Sequence, residues 1–299
     1  KSLNGNSEFS LLQETIQRLN NIKNIGSPII VCNEEHRFLV AEQCNEINVK
    51  PKEIILEPLA KNTSPAIIAA TLTVSEINKE SNLLVVSSDH IIQNQAQFVN
   101  AVEAGVNYSL NGNIVLFGVV PDSPNTGYGY IKVKDRPDVD DLEAKDIIEF
   151  TEKPNIEVAK KFLDDGHYLW NSGMFLFKAS TLISEIKNFD NETYEYVKNS
   201  YVKKIKDLDF IRLNKDEFAK CNAISIDNAL MEKTKLAVVL PIDKGWSDIG
   251  SWHSLWQIED KDKDNNFVTG RVHSEQNKNC YLRSDNRLLV TIGLENIVV

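Results

Sequence analysis

The chain is poor in cysteine, in long apolar runs and in positive charge. Its cysteines, Cys32, Cys44, Cys221 and Cys280, lie far apart and form no CxxC pair. That excludes a disulfide framework and a zinc ribbon and points to reduced thiols. The longest apolar run, Ile114 to Val120, is strand-sized, whereas a membrane-spanning helix needs about 20 residues. The first residues carry no signal-peptide pattern, and no membrane partner is expected. Lys and Arg total 33 against 43 Asp and Glu, a net charge of −10. A nucleic-acid binder carries a basic face, so nucleic acid is not an expected partner. Anionic small ligands stay open, served by a few placed cations or a metal ion. The sequence also begins without Met, at Lys1, and closes on strand-like "LLVTIGLENIVV". Further sequence is expected on both sides.

What is there is ordinary globular material: 299 residues, 42% hydrophobic and 25% charged. Helical and strand patterns alternate. "SLLQETIQRL" opens with Ser10 and has Gln13 three residues on, a capping-box pattern. "SPIIVC" reads as a buried strand, and His36 to Ile47 as a helix with Val40, Cys44 and Ile47 inward. "EIILEP" reads as the next strand. "NTSPAIIAATLTVSEI" is a helix started by Thr63, Ser64 and Pro65. "LLVVSSD" reads as a strand ending at Asp89. Residues Gln95 to Leu110 read as a helix and "NIVLFGVV" as a strand.

This alternation predicts an α/β fold with a Rossmann-like, mainly parallel sheet flanked by helices. Beyond Glu259, "KDKDNNF" breaks the pattern and short strands follow. Residues 1–259 are expected to form the main domain and 260–299 a small C-terminal β-module, the start of a β-helix.

In open α/β sheets ligands bind beyond the carboxyl ends of the strands, so the polar residues there are the candidates. "EPLAKNTSP" leads from a strand into a helix whose exposed amides suit an anion or a polar ring edge, with Lys61 adding charge; the pattern alone favours an ordinary turn capped by Thr63 or Ser64. Asp89 is a ligand-facing acid or a helix cap. In "TGYGYIK", Gly127 and Gly129 flank Tyr128 and permit close backbone approach, or mark a bulge. Glu152 and Lys153 in "FTEKP" suit sugar hydroxyls and a phosphate, or form a solvated pair. In "WNSGMFLF", Asn171 and Gly173 adjoin an apolar strand; the Asn meets a polyhydroxylated ligand or closes a turn. "GWSDIGSWHSLW" holds three of the four tryptophans around Asp248. Trp246 and Trp252 read as core anchors. Two carboxylates, Asp89 and Asp248, would suit Mg²⁺.

Seven motifs, "EPLAKNTSPAI", "VVSSDHII", "TGYGYIK", "FTEKP", "WNSGMFLF", "SIDNALMEK" and "GWSDIGSW", stand in order and spacing that resemble mannose-1-phosphate guanylyltransferases of the sugar nucleotidylyltransferase superfamily. The resemblance implies a cytoplasmic enzyme that converts GTP and mannose 1-phosphate to GDP-mannose and pyrophosphate, with a homodimer expected. It implies Mg²⁺ held by Asp89 and Asp248, and Lys153 on the sugar phosphate. Glu152, Asn171 and Gly129 would read mannose hydroxyls, with Gly127, Tyr128 and Gly173 beside them and Asp227 adding to the sugar side. Glu57, Pro58, Lys61, Asn62 and Thr63 would face guanine and ribose. Three features depart from the family pattern. The family's glycine-rich opening strand and loop, with its catalytic Arg and Lys, is not among these 299 residues and is expected upstream of Lys1. Ser87 and Ser88 replace the commoner Pro-Ala, and Lys61 stands where Arg is frequent. A different sugar or base, or a non-catalytic sugar-nucleotide-binding regulator, are the alternatives.

Overall fold

A computed structural model describes residues 8–299; the first seven residues of the expected main domain lie outside the described ones. In chain order the elements are α1 (Leu11–Leu19), β1 (Ile29–Asn33), α2 (Arg37–Glu46), β2 (Glu53–Glu57), α3 (Thr63–Ile77), β3 (Asn82–Val85), β4 (Ile91–Ile92), α4 (Gln95–Leu110), β5 (Ile114–Val119), β6 (Tyr130–Val133), β7 (Lys145–Thr151), α5 (Ile156–Asp165) and β8 (Tyr168–Lys178). Then come α6 (Ala179–Phe189), α7 (Asn191–Val202), β9 (Ile205–Asp207), β10 (Phe210–Arg212), α8 (Lys215–Phe218), a π-helix (Asp227–Met231), β11 (Ala237–Ile242), β12 (Trp246–Ser247), α9 (Trp252–Ile258), β13 (Phe267–Glu275) and β14 (Tyr281–Ile292). The residues group into two compact units. The larger is Ile16–Ser87 with Asn94–Lys244; the smaller is residues 8–15, Ser88–Gln93 and Gly245–Val299. The expected boundary after residue 259 therefore falls inside the smaller unit.

The larger unit holds two sheets. One runs β1-β2-β10-β9, with β1 and β10 parallel to β2. The other runs β3-β8-β5-β11-β7-β6. Here only β5 and β11 pair in parallel; β8 is antiparallel to β3, β5 and β6, and β7 to β11 and β6. The expected mainly parallel sheet is thus a mixed one. The reason is β8, an 11-residue strand that inserts between β3 and β5 against their common direction.

Helix α3 packs across β1, β2 and β3, and its Ile67 and Ile68 join one core with Leu116, Phe175, Phe177, Leu182, Val197 and Leu230. All of β5 is buried, as its apolar sequence predicts. β1 is not: all five residues are only half-buried, because it has one pairing partner, β2, among the described strands. β3 ends at Val85, opposite Phe175, rather than running to Asp89.

In the smaller unit, the capping box forms at α1: Ser10 N–H donates to Gln13 Oε1 at 2.8 Å and Gln13 N–H to Ser10 Oγ at 3.2 Å. β13 and β14 pair in parallel, and isolated bridges join 278 to 295 and 281 to 298. The short strands expected here are two longer ones plus these bridges. Gly270, at φ +83°, sits at the irregularity between them; a Cβ there would lie 1.9 Å from the Ser284 carbonyl oxygen. Among the described residues no helix is long and apolar enough to cross a membrane.

Candidate active site

The larger unit gathers four of the anticipated motifs. β8 carries Asn171 opposite Gly118 of β5. The Asn171 N–H donates to the Gly129 carbonyl at 2.8 Å. Its side-chain oxygen accepts from the Gly173 N–H at 3.1 Å, and its Nδ2 donates to Asp227 Oδ1 at 2.8 Å. Every polar group of that amide therefore has a direction. Gly129 lets the Glu152 carboxylate come close: a Cβ there would stand 2.7 Å from Glu152 Oε2, and the flexible side chain would have to move aside. Glu152 Oε1 in turn meets Lys153 Nζ at 2.8 Å. Gly129, Glu152, Lys153, Asn171 and Asp227 thus form one polar cluster.

Its electrostatics follow from position. Burial pushes the Asp227 carboxyl above its usual range, and the nearby Glu152 adds to this against the Asn171 hydrogen bond. The hydrogen bond and charge of Glu152 raise Lys153, and Asp227 adds a smaller pull. Lys153 has φ +42°, a left-handed conformation that costs a non-glycine residue and recurs at functional sites. Gly173 has φ +67° with open space where a Cβ would point. Beside the cluster, Tyr128 packs edge-on against Trp170 at 5.1 Å, and the Gly127 N–H closes a turn on Asn125 Oδ1 at 2.8 Å. α5, which follows directly on Lys153 and Pro154, is capped by Asn155, whose side chain accepts from the Val158 N–H.

Glu57 ends β2, and Pro58 to Asn62 lead into α3. The N-cap of α3 is Asn62, at φ +65°, whose Oδ1 accepts from the Thr63 N–H at 2.8 Å; Thr63, Ser64 and Pro65 are its first turn. Lys61, expected to add charge at this helix start, is engaged with backbone. Its ammonium donates to the carbonyls of Ala219 at 2.9 Å and Cys221 at 2.6 Å. Glu57 Oε1 and Ser64 Oγ are buried without a hydrogen-bond partner. Burial pushes the Glu57 carboxyl up to about 7. A buried, unmatched carboxylate oxygen costs free energy unless a donor arrives.

The smaller unit contains both anticipated metal ligands. β4 and β12 form an antiparallel ribbon with Ile91 opposite Ser247, and Asp89 and Asp248 leave it at the same end. Trp246 is buried, and its Nε1 donates to His90 Nδ1 at 3.3 Å with the rings edge to face. Asp248 Oδ1 accepts from the Gly250 N–H at 3.1 Å. The next residue, Ile249, has φ +48°, the only β-branched residue at positive φ among the described ones. Asp89 is 67% exposed. Trp252 departs from expectation: it is 56% exposed and leans on Tyr281 at 5.8 Å, while Leu255 is the buried face of its helix. An all-oxygen pair on a shaped turn suits a hard cation such as Mg²⁺. Among the described residues no group of three or more His, Cys, Asp or Glu could hold a metal. A cation at this pair would therefore draw most of its shell from water and phosphate.

Residues 3–265 match the family model described as "Nucleotidyl transferase". The chain belongs to that family. It is 44% identical over 293 residues to a mannose-1-phosphate guanylyltransferase of Salmonella montevideo, covering 97% of this chain and 61% of the relative. It thus spans about three fifths of the curated relatives it matches. A crystal structure of "mannose-6-phosphate isomerase from Helicobacter pylori" is similar at TM-score 0.70 and 29% identity, over 80% of this chain and 90% of that one. One of a "mannose-1-phosphate geranyltransferase" from Thermus thermophilus shares the fold at TM-score 0.81 and 23% identity, over 97% of this chain and 82% of that one.

The sequence reasoning missed the segment Ala219–Ile226, which grips the loop before α3, and the His90 contact of Trp246. Neither carries a residue pattern of its own.

Proposed function

We propose that the protein transfers GMP from GTP to mannose 1-phosphate, giving GDP-mannose and pyrophosphate. The observation that carries this reading is the Gly129–Glu152–Lys153–Asn171–Asp227 cluster: carboxylates and an amide for vicinal hydroxyls, with a cation for one phosphate. Family membership and the names of the relatives support the same reaction.

A phosphate oxygen of the sugar attacks the α-phosphorus of GTP. The new P–O bond forms as the bond to the β-phosphate oxygen breaks, and pyrophosphate leaves with the electron pair. Such chemistry rests on positioning and charge neutralisation. Lys153 compensates the sugar phosphate. Glu152 and Asp227 accept from sugar hydroxyls, and Asn171 holds Asp227 in place. On the base side, ionised Glu57 is an acceptor suited to the N1–H and 2-amino group of guanine, which would satisfy its unmatched oxygen. Backbone from Pro58 to Thr63 lines the ribose. Mg²⁺, held through Asp89 and Asp248, would supply charge neutralisation on the phosphates. A cytoplasmic homodimer belongs to the same reading. So does a β-helix start at the C-terminal end, supported by parallel strands whose turns are closed by Asn266 and Asn277 side chains.

The test is to incubate the full-length protein with GTP, Mg²⁺ and a panel of sugar 1-phosphates and to follow pyrophosphate. Mannose 1-phosphate should react fastest and yield GDP-mannose. Preference for another sugar, or no pyrophosphate at all, would overturn the assignment.

A further inference from the structure

The loop before α3 and the start of the π-helix lie far apart in sequence yet are tied together four times. The Lys61 ammonium binds the carbonyls of Ala219 and Cys221. The Ser64 N–H donates to the Ile224 carbonyl at 3.1 Å. The Thr63 hydroxyl accepts from the Ile226 N–H at 2.9 Å. The next residue after Ile226 is Asp227, whose carboxylate is the one Asn171 holds. Ser225 completes the joint by accepting from the Asn228 N–H at 3.2 Å. A π-helix is rare and recurs at functional sites; here it starts at Asp227 itself.

We propose that Ala219–Ile226 is a strap through which Lys61 and Thr63 position Asp227, so that the loop after β2 sets the affinity of the sugar subsite. This rests on the reading of the cluster as the sugar site. The side chains of Lys61 and Thr63 are then positioning groups rather than nucleotide contacts. Two of the three donors of Lys61 are already committed to the strap, and the Thr63 oxygen caps the last amide before Asp227. Because Ser64 and Thr63 are held to the strap by their backbone and side chain respectively, a shift of the α3 N-terminus moves Ile226 with it.

The experiment uses the full-length protein with Thr63→Val, Thr63→Ser and Lys61→Met, each also combined with Asp227→Asn. Thr63→Val keeps shape and removes the acceptor. It should raise the KM for mannose 1-phosphate about tenfold while the KM for GTP changes less than about threefold. Thr63→Ser should restore the wild-type value, and Lys61→Met should resemble Thr63→Val. In the Asp227→Asn background, Thr63→Val should add little, because the group it positions is gone. Amide exchange at Ile226 should accelerate in Thr63→Val without any substrate present. A rise in the KM for GTP alone would make Thr63 a nucleotide contact and overturn the strap. So would unchanged kinetics with unchanged exchange. A wild-type protein that does not use mannose 1-phosphate would instead remove the functional reading, with the exchange result still judging the strap.

Discussion

Two pairs of acids sit in different surroundings. Asp89 and Asp248 leave one end of the β4–β12 ribbon, Asp89 largely in solvent. Glu57 and Asp227 belong to the larger unit, where burial pushes both carboxyls upward. Carboxylates in reach of water suit a hydrated cation, since they lose little solvation before it arrives. Buried ones suit neutral donors such as hydroxyls and ring N–H groups, which replace lost water one hydrogen bond at a time. The buried pair divides again. Asp227 already has Asn171 as a partner, whereas Glu57 keeps an unmatched oxygen.

The comparison breaks most visibly at the first pair. Asp89→Asn and Asp248→Asn each remove a charge and keep the shape. Turnover should fall on the order of 100-fold or more, with the thermal transition retained and the activity partly recovered at high Mg²⁺. Near-normal rates at limiting Mg²⁺ in both variants would show that the ribbon holds no catalytic metal.

Next in size is the partnered buried acid. Asp227→Asn turns the Asn171 contact into amide against amide and would remove the acceptor proposed for the sugar. A hydrogen bond to a charged group is worth about 1.5–3 kcal/mol, so kcat/KM for mannose 1-phosphate should drop roughly 10- to 100-fold while the KM for GTP holds. Lys153→Ala should act in the same direction on mannose 1-phosphate. Its side chain is 62% exposed, and solvent screening makes its effect the smaller of the two. Equal losses on both substrates would show that the cluster is not confined to the sugar.

These residues were legible in the sequence because each motif is short and local: a strand end, a glycine or proline, and the polar group between them. Strand direction was not legible. β8 reads as an apolar strand whether it runs with β5 or against it, and only its neighbours decide. Nor was burial: "IIVCN" and "IVLFGV" look alike, yet β1 is half-buried and β5 wholly so. The N-cap of α3 was missed by one residue because Asn, Thr and Ser all cap well. The strap was invisible because its acceptors are backbone carbonyls, which leave no mark on residue identity.

The unmatched acid yields the third effect. Guanine would meet Glu57 as a carboxylate, so GTP binding must first ionise it. With the carboxyl pushed up to about 7, the KM for GTP should rise as pH falls, approaching roughly tenfold per pH unit in the acid limb. Glu57→Gln should flatten that profile and weaken GTP binding in mildly alkaline buffer. A wild-type KM that does not change from mildly acidic to mildly alkaline buffer would remove Glu57 from the base subsite.

The smallest effect concerns the protein without substrate, and its sign separates Glu57 from an ordinary paired acid. The folded carboxyl lies at about 7 and the unfolded one at its ordinary value of 4.5. Between those values the folded state binds more protons, so unfolding free energy falls as pH rises. The contribution is complete below about 4.5 and lost above about 7, the reverse of a salt-bridged carboxylate. A shift of this size corresponds to at most about 3 kcal/mol. Glu57→Gln removes the ionisation. The variant should therefore gain on the wild type as pH rises through that window, read as a widening difference in thermal midpoint. Saturating GTP should narrow the gap on the alkaline side by giving the wild-type carboxylate its donors. A difference that stays constant across the window would mean that Glu57 is solvated in the folded protein, and the contrast between the partnered and the unmatched acid would fail with it.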